Sequence, residues 1–235
     1  MLGNTQAPVK RHGMPEPLGI KRIFTALDSE AHDQQAHSDN LLAIARQIRA
    51  GTTSVKIRRA AIEDLDVIRG LIDEAKAWLP SKKTDQWSTD WLDKDGRGRD
   101  GRVEISIKEG TTWLVWLVSD RGKVAVATVT IEENANPGVW PEPQLADKPA
   151  VYLSRLVTAR RFSGLRIGAA LITLACKYAA CQYGAKFLRI DVWTGNSALH
   201  DYYLDQGFRF CGLCPDEGYP SRARFQRPTS GGSGW

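Results

Sequence analysis

Polar and apolar positions follow two different periods along this chain. Val55-Lys56-Ile57-Arg58 alternates with period two, which predicts a strand. The next stretch repeats Ile62, Leu65, Ile68, Leu71, Ile72 and Ala75 at helical spacing and predicts a helix over residues 63–79. Two further strands follow at 112–118 and 124–131, joined by Asp120-Arg121-Gly122-Lys123, whose Asp and Gly suit a hairpin turn. Residues 151–157 then read as a strand, and a Gly-containing turn leads into a helix that buries Leu171, Leu174, Ala175, Tyr178 and Ala179 and stops at Gly184. A strand at 187–192, a helix at 198–206 and final strands from Phe208 complete the pattern.

The ends and connections read differently. Residues 1–19 are rich in Pro, Gly and polar groups without a period, which predicts a flexible leader. Ile23, Phe24 and Leu27 share a helical face, and Leu41, Leu42, Ile44, Ala45 and Ile48 recur before Gly51. These two short helices form an extension, residues 1–50 with the leader, that is expected to pack or to make a homodimer. The core domain is expected over 54–227, with a disordered tail at 228–235. Residues 80–102 and 136–149 are long, polar, Gly- or Pro-rich connections carrying Trp residues, the kind of segment that lines a site.

Composition narrows the class. The longest apolar run, Trp113 to Val118, is too short to cross a bilayer, and no apolar stretch at the N-terminus reads as a secretory signal. A cytoplasmic protein with reduced thiols is expected from four Cys in 235 residues. The formal charge of +5 comes without a groove-reading motif, so nucleic acid is not an expected partner. Cys211-Gly212-Leu213-Cys214 is a lone C-x-x-C with no further ligands at metal spacing, so no metal is expected. His200 reads as a surface or capping residue.

The unit that carries chemistry is strand, Gly turn, helix: LSRLVTARRFSGLRIGAALITLA. A helix N-terminus preceded by glycines presents unpaired N–H groups in one direction, and Arg166 adds a cation, so the turn suits an anion such as a phosphate. The same glycines also permit a tight turn with no ligand. A P-loop and a dinucleotide fingerprint are both excluded, because Gly168 is followed by Ala169-Ala170 and only two glycines stand here.

Ser163-Gly164-Leu165-Arg166-Ile167-Gly168 resembles the pyrophosphate motif Q/R-x-x-G-x-G/A of the GNAT superfamily of N-acetyltransferases. Ser163 replaces the Gln or Arg, Arg166 replaces the first Gly, Gly168 matches the last, and the flanking Gly164 is kept. The second half of the resemblance is closer. A strand at 188–192 leads to Asn196-Ser197-Ala198-Leu199 and to a helix ending Tyr203-Leu204-Asp205-Gln206-Gly207-Phe208, similar to the family's N-x-x-A/L and Y-x-x-x-G-F.

The resemblance implies an α/β fold: a mixed, mostly antiparallel central sheet splayed between strands four and five and flanked by helices. It implies acetyl-CoA as co-substrate, with its pantetheine arm in the splay along the backbone of Leu156, Val157 and Thr158. The phosphates would meet Ser163, Gly164, Leu165, Arg166, Ile167, Gly168 and Ala169. Asn196 matches the position that bonds the arm, and it also suits a helix cap. Tyr203 matches the acid that protonates the departing thiolate; a phenol near pKa 10 keeps its proton at neutral pH and suits a thiol near 8.5. An amide near Leu156 would face the thioester oxygen.

Direct transfer also needs a base for the amine. Glu132, Glu133, Asp191 or a water chain meets that need, and Glu132, just past a strand, is the candidate base. Trp87, Trp140, Tyr152 and Trp193 are the candidate lining of the acceptor pocket. The function implied is acetyl transfer to the amine of a small molecule in a ternary complex. The alternatives are an acetyl-CoA-binding or sensing module without turnover, regulating through residues 20–50, and a nucleic-acid-binding regulator fused to the catalytic fold.

Overall fold

The computed structural model describes residues 53–88, 90–93, 95–136, 138–140 and 149–229. The expected leader, the helical extension and the tail from residue 230 lie outside them. Among the described residues seven strands form one sheet: β1 (Thr53–Arg59), β2 (Thr112–Ser119), β3 (Gly122–Glu132), β4 (Ala150–Thr158), β5 (Phe187–Val192), β6 (Arg209–Leu213) and β7 (Ala223–Pro228), in the order β1-β2-β3-β4-β5-β7-β6. Every neighbouring pair is antiparallel except β4 and β5, so the mixed, mostly antiparallel sheet expected from the sequence is present. Among the described residues four α-helices flank it: α1 (Leu65–Trp78), α2 (Arg99–Lys108), α3 (Ile167–Tyr183) and α4 (Ser197–Asp205).

The apolar stripes find their partners as their spacing requires. Ile68, Leu71 and Ile72 of α1 share a core with Val103 and Ile107 of α2 and with Val115, Leu117 and Val126 of the sheet. A second core joins Ile172, Ala175 and Ala179 of α3 to Leu188, Ile190 and Phe225. β2 is buried at six consecutive positions, Thr112 to Leu117, which explains its unbroken apolar run. No helix among the described residues is long and apolar enough to cross a membrane.

Two boundaries differ from the sequence reading. The polar connection at 80–102 yields α2 from Arg99 onward, because a helix containing Gly101 and five charged residues shows little of the apolar stripe that marked α1. The domain also runs past residue 227. Pro228 still pairs with Phe187, and the buried Thr229 donates its hydroxyl to Ala185 O at 2.5 Å and its amide to Lys186 O at 3.1 Å.

Candidate functional site

β4 and β5 run together only at one end. Ala150, Val151 and Tyr152 stand opposite Phe187, Leu188 and Arg189, and beyond them β4 stays with β3 while β5 stays with β7. Leu153–Thr158 and Ile190–Val192 therefore face a gap. A bulge in β4 sharpens the parting: Thr128 pairs with Val157 but Thr130 with Ser154, and Arg155 in the extra length lies at φ 50°. That left-handed conformation is costly for a residue with a Cβ. The guanidinium anchors it, with Nε donating to Thr130 Oγ1 at 3.1 Å and Nη2 to Glu132 Oε1 at 3.2 Å.

Past the bulge, the Ala159 amide donates to Val126 O at 2.9 Å. Alternation along the strand then turns the Val157 amide toward β3 and those of Leu156 and Thr158 into the gap. Of the three expected backbone partners, Val157 thus contributes wall rather than an open donor.

The gap leads to the start of α3. Gly164 at φ 87° and Arg166 at φ 50° turn the chain, and the first helical bond runs from the Ala170 amide to Arg166 O at 3.0 Å. The amides of Ile167, Gly168 and Ala169 have no acceptor within the helix. Ser163, Gly164, Arg166, Ile167 and Gly168 line the cleft, whereas Leu165 is buried in the core and the Ala169 side chain is not on the wall. Gly168 is required by close packing: a Cβ there would stand 2.7 Å from the Tyr202 hydroxyl. Lys82 and Arg160 add cations at this end, with the Arg160 guanidinium 3.6 Å and the Lys82 ammonium 5.1 Å from the Trp78 ring centre. Open strand amides, orphan helix amides and cations in one line suit a ligand with an amide-bearing arm and a diphosphate.

The cleft has a volume of about 1300 Å³ and continues past Tyr203 to the far side of the parting. Tyr203 is buried between Tyr202 and Phe208. Burial, with Tyr202 and Asp191 adding to it, raises its phenol well above the ordinary value, so the proton stays on oxygen. Asp191 on β5 accepts from the Tyr219 hydroxyl at 2.5 Å. Burial pushes its carboxyl up to about 6, with nearby Glu132 adding and the Tyr219 hydrogen bond opposing. Glu132 also lines the cleft, but its Oε1 is engaged by Arg155. A carboxyl raised toward neutrality and a phenol that keeps its proton thus both line the cleft.

The remaining expected residues divide. Trp87, Tyr152, Trp193 and Asn196 line the cleft. Trp193 Nε1 donates to Asp85 at 2.7 Å, and Asn196 caps α4 by accepting from the Leu199 amide at 3.0 Å while its amide nitrogen donates to Gln86 at 2.6 Å. These bonds lash the loop after α1 to the end of β5. Trp140 is a correction: it is 2% exposed, packed with Val139, Tyr152 and Cys214 and flanked by the guanidiniums of Arg189 and Arg224, away from the cleft wall. Its position in a Pro-rich connection suggested a loop residue, but a large ring there found the core instead. His200 sits against Phe225, its Nε2 2.9 Å from Trp193 O. Cys211 and Cys214 are free thiols.

Lys82, Trp91 and Arg102 lie in the connection expected to line a site and do line the cleft, whereas sequence reasoning missed Tyr202, Tyr219, Arg155 and Arg160. Tyr202 alone had a signal, one turn position beside the motif Tyr203. Tyr219 reaches Asp191 from a loop between β6 and β7, a long-range placement that no local pattern encodes.

The family model for the acetyltransferase (GNAT) family matches residues 72–208. A curated protein of Bacillus subtilis (strain 168), the uncharacterized N-acetyltransferase YesJ, is 27% identical over 161 residues, spanning 65% of this chain and 81% of its own length. Among solved structures, a GNAT-family acetyltransferase from Listeria monocytogenes 4b F2365 shares the fold with a TM-score of 0.56 and 24% identity, over 74% of this chain and 94% of that one. The PaiA N-acetyltransferase from Thermoplasma acidophilum, in complex with coenzyme A, shares it with a TM-score of 0.51 and 17% identity, over 74% and 99%.

Proposed function

Since the chain belongs to the acetyltransferase (GNAT) family, and is thus an acyltransferase, we propose that it transfers an acetyl group from acetyl-CoA to the amine of a small molecule by direct attack within a ternary complex. The observation that carries the reading is the parting of β4 from β5, which leaves the Leu156 and Thr158 amides open beside Tyr203 and in line with the start of α3. The fold neighbour from Thermoplasma acidophilum holds coenzyme A in its own crystal structure, which supports the donor. The free thiols, Cys176 and Cys214 among them buried, suit a reducing compartment, and we place the protein in the cytosol.

In this mechanism the amide of Thr158 holds the arm, and that of Leu156 is the donor available to the thioester oxygen. The amides at the start of α3, with Arg166, Arg160 and Lys82, hold the phosphates. Asp191 takes the proton of the attacking amine and Tyr203 gives its own to the departing thiolate. Asp191 replaces Glu132 as the favoured base, because Arg155 occupies the nearer Glu132 oxygen while Asp191 meets only the Tyr219 hydroxyl among side chains of the described residues.

The test is thermal stabilisation by acetyl-CoA followed by thiol release over a panel of amines. Tyr203→Phe is expected to keep the stabilisation and to lose at least 100-fold in turnover, within the ordinary range for a proton-transfer group. Stabilisation of the unaltered protein with no thiol release from any amine supports a coenzyme-binding module instead, and no stabilisation sinks both readings.

A further inference from the structure

Among the described residues four guanidiniums line the acceptor side of the cleft, and three of them have a carboxylate within 4 Å. Arg97 pairs with Asp95 and lies 3.9 Å from Asp93, Arg99 lies 3.9 Å from Asp90, and Arg155 is 3.2 Å from Glu132. Arg102, in the first turn of α2, has no carboxylate within ion-pair distance among the described residues. Its Nη1 spends both hydrogens on carbonyls, Trp91 O at 2.8 Å and Arg97 O at 2.6 Å. The other edge, Nε and Nη2, has no protein acceptor among the described residues, and it belongs to a half-buried side chain on the cleft wall. Holding a cation there without a directly paired carboxylate is costly, and burial lowers the affinity of that guanidinium for its proton while the more distant Asp90 and Asp93 oppose that.

Arg102 is also connected to the reacting end by a continuous wall. Its guanidinium carbon lies 5.1 Å from the Trp91 ring centre, Trp91 meets Tyr219 edge-on at 4.9 Å, and the Tyr219 hydroxyl donates to Asp191 at 2.5 Å. One open cation and one carboxylate thus stand at opposite ends of two aromatic rings. Resting on the acetyl-transfer reading above, we propose that the acceptor is an amine that also carries a carboxylate, its amine directed to Asp191 and its carboxylate to the Nε–Nη2 edge of Arg102.

A single guanidinium edge matches the two oxygens of one carboxylate. A doubly charged group such as a phosphate is disfavoured by Asp90 and Asp93, whose charges reach Arg102. The aromatic wall suits an apolar spacer between the two groups.

The experiment uses the full chain, acetyl-CoA and matched amines: 4-(aminomethyl)benzoate against benzylamine, 6-aminohexanoate against hexylamine, and 1,6-diaminohexane as the dication. The carboxylate member of a pair is expected to have at least a tenfold higher kcat/KM than its neutral partner. Arg102→Gln is expected to raise KM for the carboxylate member at least tenfold more than for the neutral one while kcat moves less than threefold, and Arg102→Lys is expected to restore part of the difference. Thiol release that favours the neutral amines or the diamine, or a loss in Arg102→Gln that is equal for both members, overturns the inference and leaves the acetyltransferase standing. The panel on the unaltered protein decides by itself if both variants fail to fold. Coenzyme binding with no release from any amine removes the function and this inference together.

Discussion

The Tyr219 hydroxyl lies 2.5 Å from Asp191 and is the only side-chain donor to that carboxylate among the described residues. Because burial pushes the Asp191 carboxyl up to about 6, a base role requires activity that is low below that value and rises as the proton leaves. We expect kcat/KM to show a one-proton limb near pH 6. Asp191→Asn is expected to remove the limb and at least 100-fold of kcat, whereas Glu132→Gln keeps both within threefold. A limb that survives in Asp191→Asn, measured by thiol release from pH 5 to 8, assigns the base elsewhere.

The same shift acts on stability with a definite sign. The folded state holds this proton more tightly than the unfolded chain, whose carboxyl titrates near 3.8, so stability falls as pH rises from there through about 6. Asp191→Asn removes the charge and still accepts from Tyr219. Its stability relative to the unaltered protein is expected to grow across that window by up to about 3 kcal/mol at 1.36 kcal/mol per unit. Urea unfolding at pH 4 and pH 7 measures it, and an equal difference at both values contradicts the burial argument.

Gly168 and Tyr202 are linked by space. A methyl at 168 would press on the hydroxyl at 2.7 Å, although Ala is otherwise the better residue in a helix by about 1 kcal/mol. Gly168→Ala is therefore expected to lower the melting temperature and weaken acetyl-CoA binding. Adding Tyr202→Phe, which deletes the obstructing oxygen, should recover most of the loss. Purely additive melting temperatures in the double variant would show that the two residues do not compete.

Arg166 sets stability against binding. Its φ of 50° and ψ of 26° suit Gly, so Arg166→Gly should stabilise the fold by about 0.5 kcal/mol once the greater chain entropy of Gly is subtracted. It also removes a cation from the proposed phosphate site. Denaturant midpoints should rise while the acetyl-CoA Kd increases severalfold, and a Kd that stays constant would dismiss the contact.

Asn196 divides into two duties. Asn196→Ala loses the cap of α4 and the bond to Gln86, with about 1 kcal/mol expected for the cap. Asn196→Ser keeps a capping oxygen and gives up only the tie to the loop. Thermal unfolding is expected to place Asn196→Ser near the unaltered protein and Asn196→Ala below it.

Much of this architecture was legible because its information is local. Period-two runs, the α1 stripe and the turn at Asp120-Arg121-Gly122 each read correctly from neighbouring residues. The start of α3 and the Tyr203 helix were legible through the family resemblance, since both depend on spacing within one segment. Arg155 and Tyr219 were not. A left-handed Arg in a bulge leaves no trace in sequence, and Tyr219 meets Asp191 across 28 positions. Trp140 misled because a connection without periodicity was equated with solvent, although its ring is the plug of a small core.

Where β4 leaves β5, the sheet becomes two panels, one of β1 to β4 and one of β5 to β7, stitched by a short seam at Tyr152 and Arg189 and spanned by α3. Whatever occupies the opening supplies the rungs that the strands decline to make with each other. Loading the donor should therefore slow amide exchange on both margins at once, so that one molecule serves as reagent and as crossbeam.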